Sequence, residues 1–222
     1  MLFQTTANGE GNLKSIRTLI AGVLLLQFFQ TAAFAIPPAQ RKNKDWMMDQ
    51  AHCKVIFVCG HDGLAPVTGW FDRIMGGAKY DGKNLQNAQV VASIEVDSLD
   101  SGCPPRDYHL KSADFFDAKQ FPLISFHSTA IKPVKPGKFK MEGDIEIREI
   151  KKHVVLDCTG PVGPVREDER KIKRLGFTAK TTINRKDFGI KWNREVSKGV
   201  FMVADNVDIT LEIELMKEPG VE

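Results

Sequence analysis

The chain has 222 residues and a net charge of only +3, from 31 Lys and Arg against 28 Asp and Glu. So mild a balance excludes the strongly basic face of a nucleic-acid binder. The length suits one domain with a real hydrophobic core.

Lys14 and Arg17 precede "LIAGVLLLQFF" at 19–29, an apolar run shorter than the roughly 20 residues a spanning helix needs. Ala33-Phe34-Ala35 follows, a small-x-small site for signal peptidase. Residues 1–35 are therefore expected to be a cleavable signal peptide, which implies a periplasmic or secreted protein. Export places the four cysteines, Cys53, Cys59, Cys103 and Cys158, in an oxidising compartment. The Pro-led stretch 36–48, "IPPAQRKNKDWMM", reads as a polar linker, leaving 49–218 as the folded domain.

From there the sequence alternates with period 2, the mark of strands with one buried face. Cys53, Val55, Phe57 and Cys59 share a face; Val67, Gly69 and Phe71 share another; Val90, Ala92, Ile94 and Val96 a third. "LISFHST" at 123–129 contributes Phe126. Phe139, Met141, Gly143, Ile145 and Ile147 alternate with charged neighbours. Val154, Leu156 and Cys158 continue the pattern, as do Phe177, Ala179, Thr181 and Ile183, and finally Val207 through Leu215. Turn signals such as "DGKN", "KPGK" and "SKG" separate the runs. Helical character is confined to 104–120, opened by Pro104-Pro105 and ended at Phe121-Pro122, and to a turn at 184–188. Asp114 is a candidate cap for a second turn within 104–120, and Phe115, Phe116 and Phe121 would pack that segment down. The class is all-β: an antiparallel sandwich or closed barrel of about eight strands with one or two short helices.

Asp107 and His109 are the most enzyme-like pair, yet no Ser or Cys stands in a nucleophile-elbow context beside them. Arg106 and Asp107 are expected to pair with each other, and His109 with a neighbouring loop. Cys53 and Cys59 lie six residues apart on a strand, roughly 20 Å, too far for a shared metal ion or a disulfide. Cys59 and His61 lack the further ligands of a metal site. Cys158 could still pair with Cys53 or Cys59, with buried free thiols as the default. The mixed-sign run "REDERKIKR" at 166–174 reads as a solvated hairpin. The residues thus leave two outcomes for the interior of an eight-stranded barrel: side chains fill it, or one small ligand occupies it.

"HLKSADFFDAKQFPLISFHST" (109–129), "TTINRKDFGIKWN" (181–193) and H-x-x-V-x-F-x-x-x-H at His52–His61 resemble the YceI-like polyisoprenoid-binding proteins. The likeness runs from about residue 49 to residue 216. It implies an extended, lipocalin-like barrel around an amphiphilic isoprenoid, a quinone or polyprenyl lipid, with no catalytic residues, metal or other cofactor. The chain departs from the family pattern at "EIKKHV" (149–154), at Cys53 where Ser is usual, and in its number of cysteines. Side chains of inward parity are the expected lining: Val55, Phe57, Phe71, Ile94, Phe116, Phe126, Phe139, Met141, Ile145, Leu156, Phe177, Ile183 and Trp192. The 106–126 segment would close one end as a lid. Transient membrane contact for lipid exchange follows from such a role, and edge strands or the mouth offer surfaces for a homodimer. The alternative from another class is a small exported enzyme or a redox or metal protein using His109, Asp107 and the cysteines.

Overall fold

The computed structural model describes residues 45–160 and 166–219. The expected signal peptide and most of the expected linker lie outside those residues. The strands before the main helix are β1 (Asp45–Met48), β2 (Lys54–His61), β3 (Ala65–Phe71), β4 (Ile74–Lys79), β5 (Gln89–Glu95) and β6 (Leu99–Asp100). Helix α1 (Pro104–Leu110) precedes β7 (Leu123–Lys135), β8 (Lys138–Ile147) and β9 (Ile150–Thr159). The chain ends through β10 (Arg166–Glu167), β11 (Lys173–Asn184), β12 (Glu195–Ser197), β13 (Val200–Phe201) and β14 (Val203–Lys217).

Every pairing is antiparallel, and the main sheet closes because β14 bonds β11 on one side and both β1 and β2 on the other. β1 meets β14 at Met216 and Leu215, while β2 meets it from Val203 to Glu212. β1 and β2 are thus two halves of one broken stave. β3 and β4 form the next in the same way, since β3 pairs with β2 and β4 with β1. With β5, β7, β8, β9, β11 and β14 they make an eight-stave barrel, the lipocalin-like architecture expected, with β6, β10 and the β12–β13 hairpin as additions. The 166–174 run is indeed a hairpin, β10 against β11.

Two expectations need correction. The linker does not reach residue 48: β1 belongs to the barrel wall, and Trp46 is only 2% exposed, its indole donating to the Tyr80 carbonyl at 3.0 Å. Helix also stops at Leu110 rather than 120. Ser112 donates its hydroxyl to the His109 carbonyl and accepts the Asp114 amide, so Ser112, not Asp114, organises the turns that follow. A local side-chain bond of this kind competes with helix continuation. Asp117 then takes a positive φ of 50°, which closes the segment on itself through the Asp117 amide and the Ser112 carbonyl.

The barrel is packed shut at one end. Ala78, Ile131, Phe139, Leu175 and Leu215 are buried there, leaving a gap of only about 30 Å³. The other end, where α1, the β2–β3 turn, the β8–β9 turn and the 185–192 segment meet, is open to a larger space.

Candidate functional site

That space is a cavity of about 490 Å³ running down the barrel axis, within the roughly 300–1,000 Å³ of small-molecule sites. Parity along each strand explains its walls, since alternate residues point inward. Val55 and Phe57 come from β2, Phe71 from β3, Ile94 from β5 and Phe126 from β7. Met141 and Ile145 come from β8, Leu156 from β9, and Phe177 and Ile183 from β11. Phe116 and Trp192 reach in from the lid side. Phe139 does not line this cavity: it shares a face with Met141 but sits two residues further down, in the packed end, against Phe177 at 6.1 Å between ring centroids.

Two glycines shape the wall. The Phe57 ring lies where a Cβ on Gly69, its cross-strand neighbour, would stand. The Phe126 ring likewise covers Gly143. Both rings lie back against the sheet, which leaves the lumen open.

The polar lining sits mainly toward one end. The exposed lining residues Gly60, His61 and Pro105 mark the mouth, with Arg106, His109 and Met202 beside them. Arg106 and Asp107 do not pair with each other as expected. Both turn to Ser101: Asp107 accepts its amide and hydroxyl, while Arg106 donates to its hydroxyl at 2.7 Å and its carbonyl at 2.8 Å. His109 bonds Asp114 at 2.9 Å, and its ring meets Phe115 and Trp192 edge-on at 5.0 and 4.8 Å. Asp107 and His109 therefore serve separate partners, both of which fix α1 over the cavity.

Arg148 adds a further tie. It and Glu149 form the β8–β9 turn with φ of 52° and 61°, the primed hairpin geometry that glycine or asparagine usually fills. Its guanidinium donates to the carbonyls of Phe115 and Gly189 and lies over the Phe121 ring, holding the lid to the barrel end. Arg185, 4% exposed, ties the same 189–192 stretch to the start of β14. It donates to the carbonyls of Ala204, Ile190, Trp192 and Val203, with Asp205 at 3.6 Å. Burial lowers its pKa, yet four carbonyls and a carboxylate saturate its donors.

All four cysteines are free thiols. Burial pushes the Cys158 thiol up to about 12 and raises Cys53 and Cys59 as well, so these three stay protonated and weakly nucleophilic near neutral pH. Away from the cavity, Asp49, His52 and Glu214 bring ligand-type atoms within 4.8 Å of one another. The Arg174 guanidinium already bridges the two carboxylates at 2.7 and 2.8 Å, where a cation would sit.

Sequence reasoning missed several wall residues. Ile209 and Leu211 share the inward parity and were legible from it; Met48, Phe188, Ile190 and Val203 lie on turns or strand ends where parity gives no guidance. Arg185 carries no sequence signal, because arginine is ordinarily read as exposed.

An antiparallel eight-stave barrel with an apolar axial cavity and a short helical lid defines a lipocalin-like binding fold. The YceI-like domain family matches residues 46–215, and the chain belongs to that family. A UPF0312 protein of Vibrio cholerae serotype O1 is 30% identical over 185 residues, covering 82% of this chain and 93% of its own. One from Shewanella sp. strain ANA-3 is 30% identical over 207 residues, covering 90% and 95%. Among solved structures, BcnA of Burkholderia cenocepacia matches with a TM-score of 0.64 at 24% identity, over 75% of this chain and 98% of that one. A polyisoprenoid-binding domain from Saccharophagus degradans, implicated in plant cell wall breakdown, matches with a TM-score of 0.55 at 12% identity, over 78% and 98%. At these identities the two structures establish the fold.

Proposed function

We propose that the protein is an exported binding protein, not an enzyme, that holds an amphiphilic isoprenoid lipid of the quinone or polyprenyl type in its lumen for storage or transport. The observation that carries this is the cavity of about 490 Å³, apolar along its walls and polar chiefly at its mouth. An apolar tail buried along those walls gains roughly 25 cal/mol per Å² without any polar anchor, and a polar head is left at His61, Arg106 and His109. Membership of the YceI-like family supports the lipid class, as does the similar fold of the polyisoprenoid-binding domain. The signal-peptide pattern at 1–35 supports a periplasmic or secreted location.

The test is native mass spectrometry of the exported protein purified without detergent, followed by solvent extraction. The expected result is a mass excess that resolves to an isoprenoid lipid. An apo mass together with no uptake of added quinone or polyprenyl lipid would refute the reading.

A further inference from the structure

A lipid held this way has to enter and leave through the mouth, and the surface around the mouth has an unusual composition. The β2–β3 turn ends in Leu64, 89% exposed. The β12–β13 hairpin beside it carries Phe201, 53% exposed, and Val196, 40% exposed. These two elements are neighbours: the Asp62 amide donates to the Met202 carbonyl at 2.9 Å, and a Cβ on Gly63 would touch Val200. Across the opening, α1 turns Pro105, Arg106, His109 and Leu110 to the cavity and leaves Tyr108 82% exposed. Large exposed apolar side chains scattered singly need no explanation, but of the seven such side chains among the described residues four sit on α1, the β2–β3 turn and the β12–β13 hairpin, around one opening.

The β12–β13 hairpin is the more informative lip. It stands outside the barrel sheet, and β12 is exposed along its whole length, so it adds little to the core. Its segment 191–201 carries the exposed cations Lys191, Arg194 and Lys198 against one anion, Glu195, whose carboxylate is engaged by the Gly199 amide. On the neighbouring turn Asp62 faces His61 at 3.5 Å. Apolar tips flanked by cations suit an anionic lipid surface, where the apolar groups enter the headgroup region and the cations meet phosphates. A water-filled gap between mouth and bilayer would strand an isoprenoid in transit; a rim seated in the headgroups joins the apolar lumen to the bilayer interior directly.

We infer that the rim formed by Leu64, Tyr108, Val196 and Phe201, with Arg194 and Lys198, docks the mouth onto an anionic membrane surface for lipid exchange. The inference rests on the carrier reading for its purpose, but the docking itself is measurable whether or not lipid is bound.

The experiment is sedimentation of the exported protein, purified without detergent, with vesicles of phosphatidylethanolamine and phosphatidylglycerol, and separately with phosphatidylcholine alone. Wild type is expected to bind the anionic vesicles more tightly. Leu64→Asp with Phe201→Asp should weaken binding to them about tenfold or more. Arg194→Glu with Lys198→Glu should weaken binding to the anionic vesicles by a similar factor while leaving phosphatidylcholine binding unchanged. All four side chains are exposed, so thermal midpoints and the mass of any co-purified lipid should match wild type. Failure of wild type to bind anionic vesicles would overturn the inference, as would variants that bind as well as wild type. So would a loss of self-association in the apolar double variant without a loss of vesicle binding, because the rim would then be the seat of a second copy of this chain. If wild type carries and takes up no isoprenoid yet binds vesicles through these residues, the carrier reading fails and the docking surface stands.

Discussion

Replacing Gly69 by Ala probes how the lumen is kept open. The new methyl would fall on the tip of the Phe57 ring and 2.7 Å from its Cε1, with the Asp100 carbonyl oxygen at 3.0 Å. Carbon atoms prefer about 3.5–4.0 Å, so the ring has to move by roughly 1 Å or more. The sheet backbone lies behind it, and the free direction is into the cavity. Such overpacking costs about 1–3 kcal/mol. The loss of unfolded-state freedom on replacing Gly returns about 0.4–1 kcal/mol. The net expectation is about 1–2 kcal/mol of destabilisation, a fall in thermal midpoint of about 2–8 °C at this size, together with weaker uptake of isoprenoid. In a Phe57→Leu background the same Gly69→Ala change should cost little, so a double-mutant cycle read by thermal denaturation isolates the contact. A rise in midpoint with Gly69→Ala, or an equal cost in both backgrounds, would refute the reasoning.

Three further outcomes follow, two from the ties around the site and one from the Arg174 pair away from it. Arg148→Gly removes the left-handed strain of a non-glycine residue, about 1–2 kcal/mol, but frees the lid from the barrel end; lipid exchange between donor and acceptor vesicles should speed up while the thermal midpoint changes little. Arg185→Met leaves four carbonyls without their donor and should cost about 3–5 kcal/mol by urea denaturation. Arg185→Lys should not restore it, since an ammonium has three donors for five acceptors. Arg174 holds the Asp49 carboxyl below its ordinary value. The folded state therefore favours the charged carboxylate, and the stability it contributes is present above the unfolded pKa of about 3.9 and lost as pH falls through the lower folded value. Arg174→Met should flatten the stability–pH curve below about pH 5; an unchanged slope would exclude the pair as its source.

Much of this site is legible in the sequence because a strand's period of two assigns each residue to a face. All the expected wall residues face inward, Phe139 included. Parity gives face but not depth, however, and Phe139 lies beyond the floor of the cavity, two residues below Met141. The break of a stave into β1 and β2 is invisible for a related reason: "DWMM" is too short to display a period, and charged neighbours make it read as linker. The lid residues were visible as a charged trio, but their roles were not. Arg106 and Asp107 both turn to Ser101, a few residues back along the chain, a local contact that no periodicity marks; Arg148 reaches the Phe115 and Gly189 carbonyls only because the barrel brings those distant segments near. Arg185 shows a related limit, since its acceptors lie on two separate segments, Ile190 to Trp192 and Val203 to Ala204, that the β11–β14 pairing brings around it.

The position of β14 has a consequence for how the molecule forms. It is the last strand among the described residues, yet it bonds β1 and β2 from the beginning of the domain and β11 from near its end. Contacts of such long sequence separation make for slow folding. A chain still emerging from synthesis can build the β7–β8–β9 meander, but the edges of β2 and β11 that face β14 have nothing to pair with and invite association with other chains. Closure has to wait for the last fifteen-residue strand, so the partly made chain needs shielding, and a truncation that removes β14 should yield aggregate rather than a smaller barrel.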